Sequence, residues 1–224
     1  MTISIAARCE RTGAFGVAIS SSSPAVGSRC PNVRAGVGAV SSQNVTDPSL
    51  GPALLDALQS GLGAHEALAK ISSVASHPEF RQLTVVDNTG ESAVYSGAKS
   101  LGINAEVTAK NVAAAGNMLA NPGVIQAMID SFKSTSDKEL ADRLIQALEA
   151  GVKAGGEAGP VHSAAVIVAT EVSWPTTNLR IDWDENPISK LRDLYNVWAP
   201  QSQDYLTRAL NPNSAPSYGV PGDE

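Results

Sequence analysis

The sequence is poor in aromatic residues and has no long run of basic or apolar residues. Phe, Trp and Tyr make up 4% of the 224 residues, so the core must be built from Ala, Val, Ile and Leu. The formal net charge of -6 argues against a nucleic-acid partner. No stretch approaches the roughly 20 apolar residues that a membrane helix needs. The opening MTISIAARCERTG lacks the features of a signal peptide, and we therefore predict a cytoplasmic protein that does not bind membranes.

Patterns for binding metals and cofactors are also missing. Cys9 and Cys30 are the two cysteines, and their spacing fits no metal or redox motif. His65 is not followed by a second histidine four residues later, which excludes that type of zinc site. The glycines of GVKAGGEAGP follow a predicted helix rather than open one, which argues against a phosphate cradle. We predict neither a metal nor a cofactor.

Strand pairs alternate with helix pairs along the chain. The β-prone runs Ile3–Ala7 and Ala14–Ser20 predict a hairpin, and an Asp-Pro or Asn-Pro pair marks the start of later helices. Because elements arrive in antiparallel pairs, they predict an α+β fold rather than a parallel α/β fold. We expect a four-layer αββα sandwich of two mainly antiparallel sheets. Residues 1–199 would form this single domain, and residues 200–224, with four prolines, a surface or disordered arm.

The start of the chain fits a chemistry that needs few residues. A nucleophile at the first position of a first strand can use the chain's own amino group as its general base. Removal of Met1 would expose Thr2 directly before the first strand. An oxyanion also needs donors on a neighbouring strand, and the ends of the neighbouring strands supply Ser20, Ser42 and Gln43. Either Arg29 or Arg34 could stabilise negative charge nearby.

Several ordered motifs resemble one family. They are AVGSRCPNVRAGVGAVSSQ, FRQL, YSGAK, GNMLANP and GGEAGPVHSAA. Together with the opening MTISIAAR they resemble the prokaryotic domain of unknown function 1028 over roughly residues 1–195. The resemblance implies a fold like the N-terminal-nucleophile (Ntn) hydrolases. Added peptidoglycan-binding domains in some members of the family hint at hydrolysis of amides or peptides.

The resemblance also aligns Ser4, which should share a strand face with Thr2 and oppose Ile3. We predict that Thr2 and Ser4 are catalytic. Five residues are candidates for substrate binding: Arg29, Gln43, Arg81, Asn117 and Glu157. Each of the seven candidates also has a structural interpretation: a strand start for Thr2, a backbone-bonded buried serine for Ser4, ion pairs for Arg29 and Arg81, a strand cap for Gln43, a left-handed turn for Asn117 and a solvated carboxylate for Glu157.

The favoured function is hydrolysis of a C–N bond in a small amide or peptide-like substrate. The alternative is a non-catalytic protein that binds a small molecule on the same scaffold. We also expect a homo-oligomer, with the face of the helix that carries Trp198 as a candidate interface.

Overall fold

The computed structural model describes residues 1–221, which contain ten strands and six α-helices. The strands are β1 (Thr2–Arg8), β2 (Phe15–Ser21), β3 (Pro31–Arg34), β4 (Gly38–Asn44), β5 (Arg81–Asp87), β6 (Ser92–Ser96), β7 (Ala105–Ala109), β8 (Val112–Asn117), β9 (Ser163–Ala169) and β10 (Thr177–Ile181). The helices are α1 (Leu50–Gln59), α2 (Ala64–Val74), α3 (Gly123–Ser134), α4 (Leu140–Lys153), α5 (Pro187–Trp198) and α6 (Ser202–Leu210).

The strands form two antiparallel sheets that face each other. The six-stranded sheet has the order β10-β9-β2-β1-β8-β7, and the four-stranded sheet has the order β3-β4-β5-β6. All neighbouring strands are antiparallel. Helices α3 and α4 cover the outside of the larger sheet, and α1 and α2 cover the smaller one. The predicted αββα sandwich is therefore confirmed.

Strand β1 lies at the centre of the larger sheet, between β2 and β8. Its residues Ile3 and Ile5 enter the core beneath α3 and α4, whereas Ala6 packs between the two sheets. Because side chains alternate along a strand, Thr2 and Ser4 share the face of Ala6. The predicted common face of Thr2 and Ser4 is thus confirmed, and we call the space between the sheets the inner layer.

Two glycines let the outer helices approach Ile3 closely. A Cβ atom at Gly116 would lie 3.1 Å from Ile3 Cγ2 and 2.9 Å from Ile125 Cδ1. A Cβ atom at Gly151, inside α4, would lie 2.9 Å from Met128 Cγ and 3.4 Å from Ile3 Cδ1. The side chain of Ile3 is therefore held tightly on the outer side of β1.

Three elements were not predicted from the sequence. Pro31–Arg34 and Ala105–Ala109 form edge strands with many partly exposed residues. The C-terminal arm contains the helix Ser202–Leu210, where the ring of Tyr205 stacks on Trp198 with centroids 5.0 Å apart. The division at residue 199 stays a prediction. No helix within residues 1–221 combines the length and apolar character required to span a membrane.

Candidate functional site

One end of the inner layer is lined by buried polar side chains. Thr2 lies opposite Ser21 on β2 and opposite Asn117 on β8. In the facing sheet Gln43 lies opposite Gln82. All five residues are at most 6% exposed. The sequence candidates Thr2, Gln43 and Asn117 therefore meet at this end of the sandwich.

An amide network joins the two sheets at this end. Gln43 Nε2 donates to Gln82 Oε1 at 2.8 Å and to the carbonyl of Ala115 at 3.2 Å. Gln82 Nε2 donates to the carbonyl of Gly116 at 3.1 Å and to a hydroxyl on β6. Asn117 Nδ2 donates to Gln82 Oε1 at 3.0 Å. Both amide hydrogens of Gln43 are thus used inside the protein, which gives Gln43 a positioning role and leaves Asn117 as the better placed donor for a substrate.

A row of polar contacts leads from the guanidinium group of Arg29 to the hydroxyl of Thr2. Arg29 donates to Ser23 Oγ at 2.7 Å, Ser23 Oγ lies 2.9 Å from Ser21 Oγ, and Ser21 Oγ lies 3.2 Å from Thr2 Oγ1. Both Thr2 Oγ1 and Ser21 Oγ donate to the carbonyl of Met1 at 2.6 Å. Arg29 also donates to two loop carbonyls, and it has no carboxylate partner within residues 1–221. Its predicted ion pair is therefore wrong, and its charge is linked to Thr2 through two serines.

Arg81 does not join this cluster. It precedes Gln82 on β5, so its side chain points to the opposite face of that strand. Arg81 donates to the carbonyl of Val45 at 2.6 Å and to that of Ser76 at 3.0 Å and 3.2 Å. These bonds tie two loops to the strand, and no described carboxylate pairs with it. The geometry gives Arg81 a structural role without the salt bridge that the sequence suggested.

Glu157 is buried beside the chain's amino terminus. It is 7% exposed, and burial raises its pKa to about 8, although the amino group of Met1 and the backbone amides of Ser22 and Ile3 act in the opposite direction. Those amides are nearby, but no hydrogen bond of normal geometry within the described chain reaches either carboxylate oxygen. Loss of hydration therefore dominates. The interpretation of Glu157 as a solvated loop carboxylate is wrong.

The loop that carries Glu157 folds over the start of β1. It pairs with the segment after β8, where the amide of Ala158 donates to the carbonyl of Met118 at 2.8 Å. A Cβ atom at Gly159 would lie 2.9 Å from Met1 Cε. The absence of a side chain at Gly159 thus makes room for the side chain of Met1.

Ser4 lies one level deeper in the inner layer than Thr2. It is fully buried, and its hydroxyl has no hydrogen-bond partner within residues 1–221. The backbone-bonded interpretation of Ser4 is therefore wrong. A buried hydroxyl without a partner costs free energy, and its position makes Ser4 part of the floor below Thr2.

Sequence reasoning missed Ser21, Ser23 and Gln82. The run of serines from Ser20 to Ser23, at the end of a strand that pairs with β1, was the available signal. Gln82 gave no comparable signal because its importance depends on the facing sheet. No group of three His, Cys, Asp or Glu side chains in the described part of the chain could hold a metal ion.

Comparison with known proteins gives a family and a similar solved structure. The model of the "Family of unknown function (DUF1028)" matches residues 2–191. The crystal structure of a protein from Silicibacter pomeroyi, assigned to the same family model, is 32% identical, with a TM-score of 0.81 over 88% of this chain and 89% of that chain.

Two further solved structures are much less similar. HslV from Trypanosoma brucei has a TM-score of 0.44 and 13% identity, over 76% of this chain and 100% of that chain. An Anbu Gly-1 mutant from Hyphomicrobium sp. strain MC1 has a TM-score of 0.43 and 12% identity, over 98% of this chain and 100% of that chain. Among curated proteins no match is found. On the family match and the similarity to the Silicibacter pomeroyi protein, the chain belongs to the DUF1028 family.

Proposed function

We propose that this protein hydrolyses a small amide or peptide-like substrate, with Thr2 as the nucleophile once Met1 has been removed. The observation that carries the proposal is the row of polar contacts from Arg29 through Ser23 and Ser21 to the hydroxyl of Thr2, next to the buried carboxyl of Glu157. A hydroxyl, the amino end of the chain and a buried carboxyl thus lie close together at the start of a central strand, and an Ntn-type reaction uses the hydroxyl as nucleophile and the amine as base.

The carbonyl of Met1 keeps this site in a latent state. It accepts hydrogen bonds from both Thr2 and Ser21, so neither hydroxyl hydrogen is available to its neighbour. When Met1 leaves, the hydroxyl of Ser21 can donate to Thr2 Oγ1, which lies 3.2 Å away. The positive charge of Arg29, which is linked to Thr2 through Ser23 and Ser21, then favours deprotonation of the Thr2 hydroxyl.

The reaction has two halves. The α-amino group of Thr2 takes the hydroxyl proton while Oγ1 attacks the carbonyl carbon of the substrate amide, and the carbonyl electrons move onto oxygen. Collapse of this intermediate breaks the C–N bond, and the amine delivers the proton to the leaving nitrogen. Water then attacks the ester on Thr2 with the same amine as base, which releases the acid and restores the hydroxyl. Asn117 is placed to donate to the oxyanion.

Glu157 supports this chemistry by being mostly protonated near neutral pH. A neutral carboxyl beside the amine does not stabilise the ammonium form, so the amine remains available as a base. The protonated carboxyl can also donate a hydrogen bond to a substrate carbonyl.

The test combines intact mass with a matched pair of variants. We expect the mature protein to lack Met1 and to hydrolyse members of a panel of N-acyl amides and dipeptides. Thr2→Ala should lower kcat by about 1,000-fold or more, because both the nucleophile and its link to Ser21 are lost, while Thr2→Ser should keep measurable turnover. Thr108→Ala, at an exposed position on β7, is the control. Full retention of Met1 in active protein, or unchanged turnover by Thr2→Ala, would refute the mechanism.

The alternative is a non-catalytic protein that binds a small molecule in the same place. The two hydrogen bonds to the carbonyl of Met1 favour it in one respect, because they leave no activated hydroxyl while Met1 is present. In that case a ligand would raise the melting temperature without being consumed, and removal of Met1 would not create turnover.

A further inference from the structure

A second polar site lies at the opposite end of β1, where the strand ends at Arg8. A cavity of about 410 Å³ opens there, a volume within the range of small-molecule sites. Five cationic side chains and one carboxylate line it: Arg8, Arg11, Lys110, Lys133, Arg143 and Glu10. The chain as a whole has a net charge of -6, so this concentration of positive charge does not reflect the average surface.

Most of these cations have no carboxylate within ion-pair distance among the residues that the structure describes. Arg11 forms an ion pair with Glu139 at 3.3 Å. The other four are more than 4.0 Å from any carboxylate oxygen within residues 1–221. Arg8 donates to a side-chain amide oxygen at 3.3 Å and Lys110 to a backbone carbonyl at 2.7 Å, both neutral groups. Their charges remain available to a ligand.

Arg143 is the buried member of the group. It is 6% exposed, and its guanidinium carbon lies 3.9 Å from the centre of the Phe132 ring. One terminal nitrogen donates to the carbonyl of Phe132 at 3.1 Å, whereas Nε is buried without a partner in the described chain. A buried cation with an unused donor is costly unless a negative charge completes its surroundings.

Cys9 also lines this cavity. Burial raises the pKa of its thiol, but hydrogen bonds from Thr12 and Arg11 and the charge of Arg143 outweigh burial, and the pKa lies below its ordinary value. The charge of Arg143 is thus the smallest of several influences that favour the negative form of this thiol.

We propose that this cavity binds a small polyanion that carries two or more phosphate or carboxylate groups. Guanidinium groups bind such oxyanions through paired hydrogen bonds, and lysines add point charges at the rim. The concave shape favours a compact ligand over an extended nucleic acid, which the overall negative charge would repel.

The test measures binding of pyrophosphate and citrate by calorimetry and by melting temperature, with ionic strength held constant by NaCl. We expect at least one of them to bind the unmodified protein and to raise its melting temperature. Lys133→Gln should weaken binding about fivefold, since one exposed charge contact is worth about 1 kcal/mol. Lys153→Gln is the matched control, because both lysines are exposed in the last turn of a helix.

The outcomes separate the ligand classes and can overturn the proposal. Binding of pyrophosphate alone assigns a phosphate site, and binding of citrate alone assigns a polycarboxylate site. Arg143→Met should abolish binding in a protein whose circular dichroism is native. If this variant does not fold, the comparison of Lys133→Gln with Lys153→Gln tests the proposal. No binding of either anion at matched ionic strength, or equal weakening by Lys133→Gln and Lys153→Gln, would overturn the assignment.

Discussion

The two ends of the inner layer are built on the same strands but from opposite kinds of side chain. At one end the sheets meet through an apolar cluster that includes Ala6, Phe15 and Val86. At the other end the same faces carry hydroxyls and amides. From the apolar end towards the polar end, β1 presents Ala6, Ser4 and Thr2, β4 presents Ala39, Ser41 and Gln43, and β5 presents Val86, Thr84 and Gln82.

This difference shows that the sheets are joined by apolar contacts at one end and by hydrogen bonds at the other. Apolar side chains join the sheets well at the Ala6 end, whereas the polar end must desolvate amides and hydroxyls. At the intermediate level the hydroxyls of Ser4 and Thr84 are fully buried and have no partner in the described chain. Each costs about 1–3 kcal/mol, which is a large share of the 5–15 kcal/mol that typically stabilises a domain. We infer that the polar end is kept for chemistry.

The largest expected effect contrasts Gln82 with Val86 on the same face of β5. Gln82→Met keeps the size of the side chain but removes the acceptor of Gln43 and Asn117 and leaves a backbone carbonyl without its donor. We expect a loss of about 4 kcal/mol in the free energy of unfolding, because several buried groups lose partners. Val86→Ala, in the apolar cluster, should cost about 1–2 kcal/mol. Urea unfolding measures both, and equal losses would mean that the amide network contributes no more than ordinary packing.

An intermediate effect is expected from the carboxyl of Glu157. Its pKa rises from 4.5 to about 8 on folding, so the folded state binds the proton more tightly than the unfolded chain. The stability from this proton is complete below pH 4.5 and is lost as the pH rises towards 8. Glu157→Gln removes this dependence, and it should raise the free energy of unfolding at pH 8.5 by about 4–5 kcal/mol relative to the unmodified protein, with little change at pH 4.5.

Urea unfolding at several pH values checks this prediction. Glu171→Gln is the control, because Glu171 is exposed and its replacement should not change the slope of stability against pH. An unchanged slope in Glu157→Gln would show that the carboxyl is not protonated in the folded protein.

The smallest expected effect compares two buried serines of neighbouring strands. Ser4→Ala removes a hydroxyl that has no partner, so we expect the free energy of unfolding to stay equal or to rise by up to about 1 kcal/mol. Ser20→Ala removes a hydroxyl that donates to the carbonyl of Ser163 at 3.1 Å, and should cost about 1 kcal/mol. If Ser4 serves catalysis, Ser4→Ala should also lower kcat, so that stability and activity change in opposite directions. A destabilised Ser4→Ala protein would contradict the assignment of an unused hydroxyl.

The sandwich could be predicted from the sequence because the pattern of polar and apolar residues that marks each strand and helix is local. Polar and apolar residues alternate along β1, and this alternation was enough to place Thr2 and Ser4 on one face and Ile3 on the other. The partners of those side chains come from distant segments. The burial of Glu157 depends on its bridge to Leu119, which no local pattern reveals.

Predictions about the location, oligomeric state and substrate of the protein differ from those about its family and fold. The family and the sandwich follow from the match and the sheet topology. The cytoplasmic location, the homo-oligomer and the small-molecule substrate stay predictions, because they concern where the protein works and what it meets.

The close packing of Ile3 has a consequence for control of the site from a distance. Gly116 and Gly151 leave no spare room around that side chain, and Thr2 is the next residue along the backbone. A single added methyl group at Gly116, on the outer face of β8, would lie 3.1 Å from Ile3 Cγ2 and 2.9 Å from Ile125 Cδ1, so we expect it to displace Ile3 and, with it, the neighbouring Thr2. A change on the outer side of the sheet is thus expected to move the hydroxyl of Thr2 without replacing any residue of the inner layer.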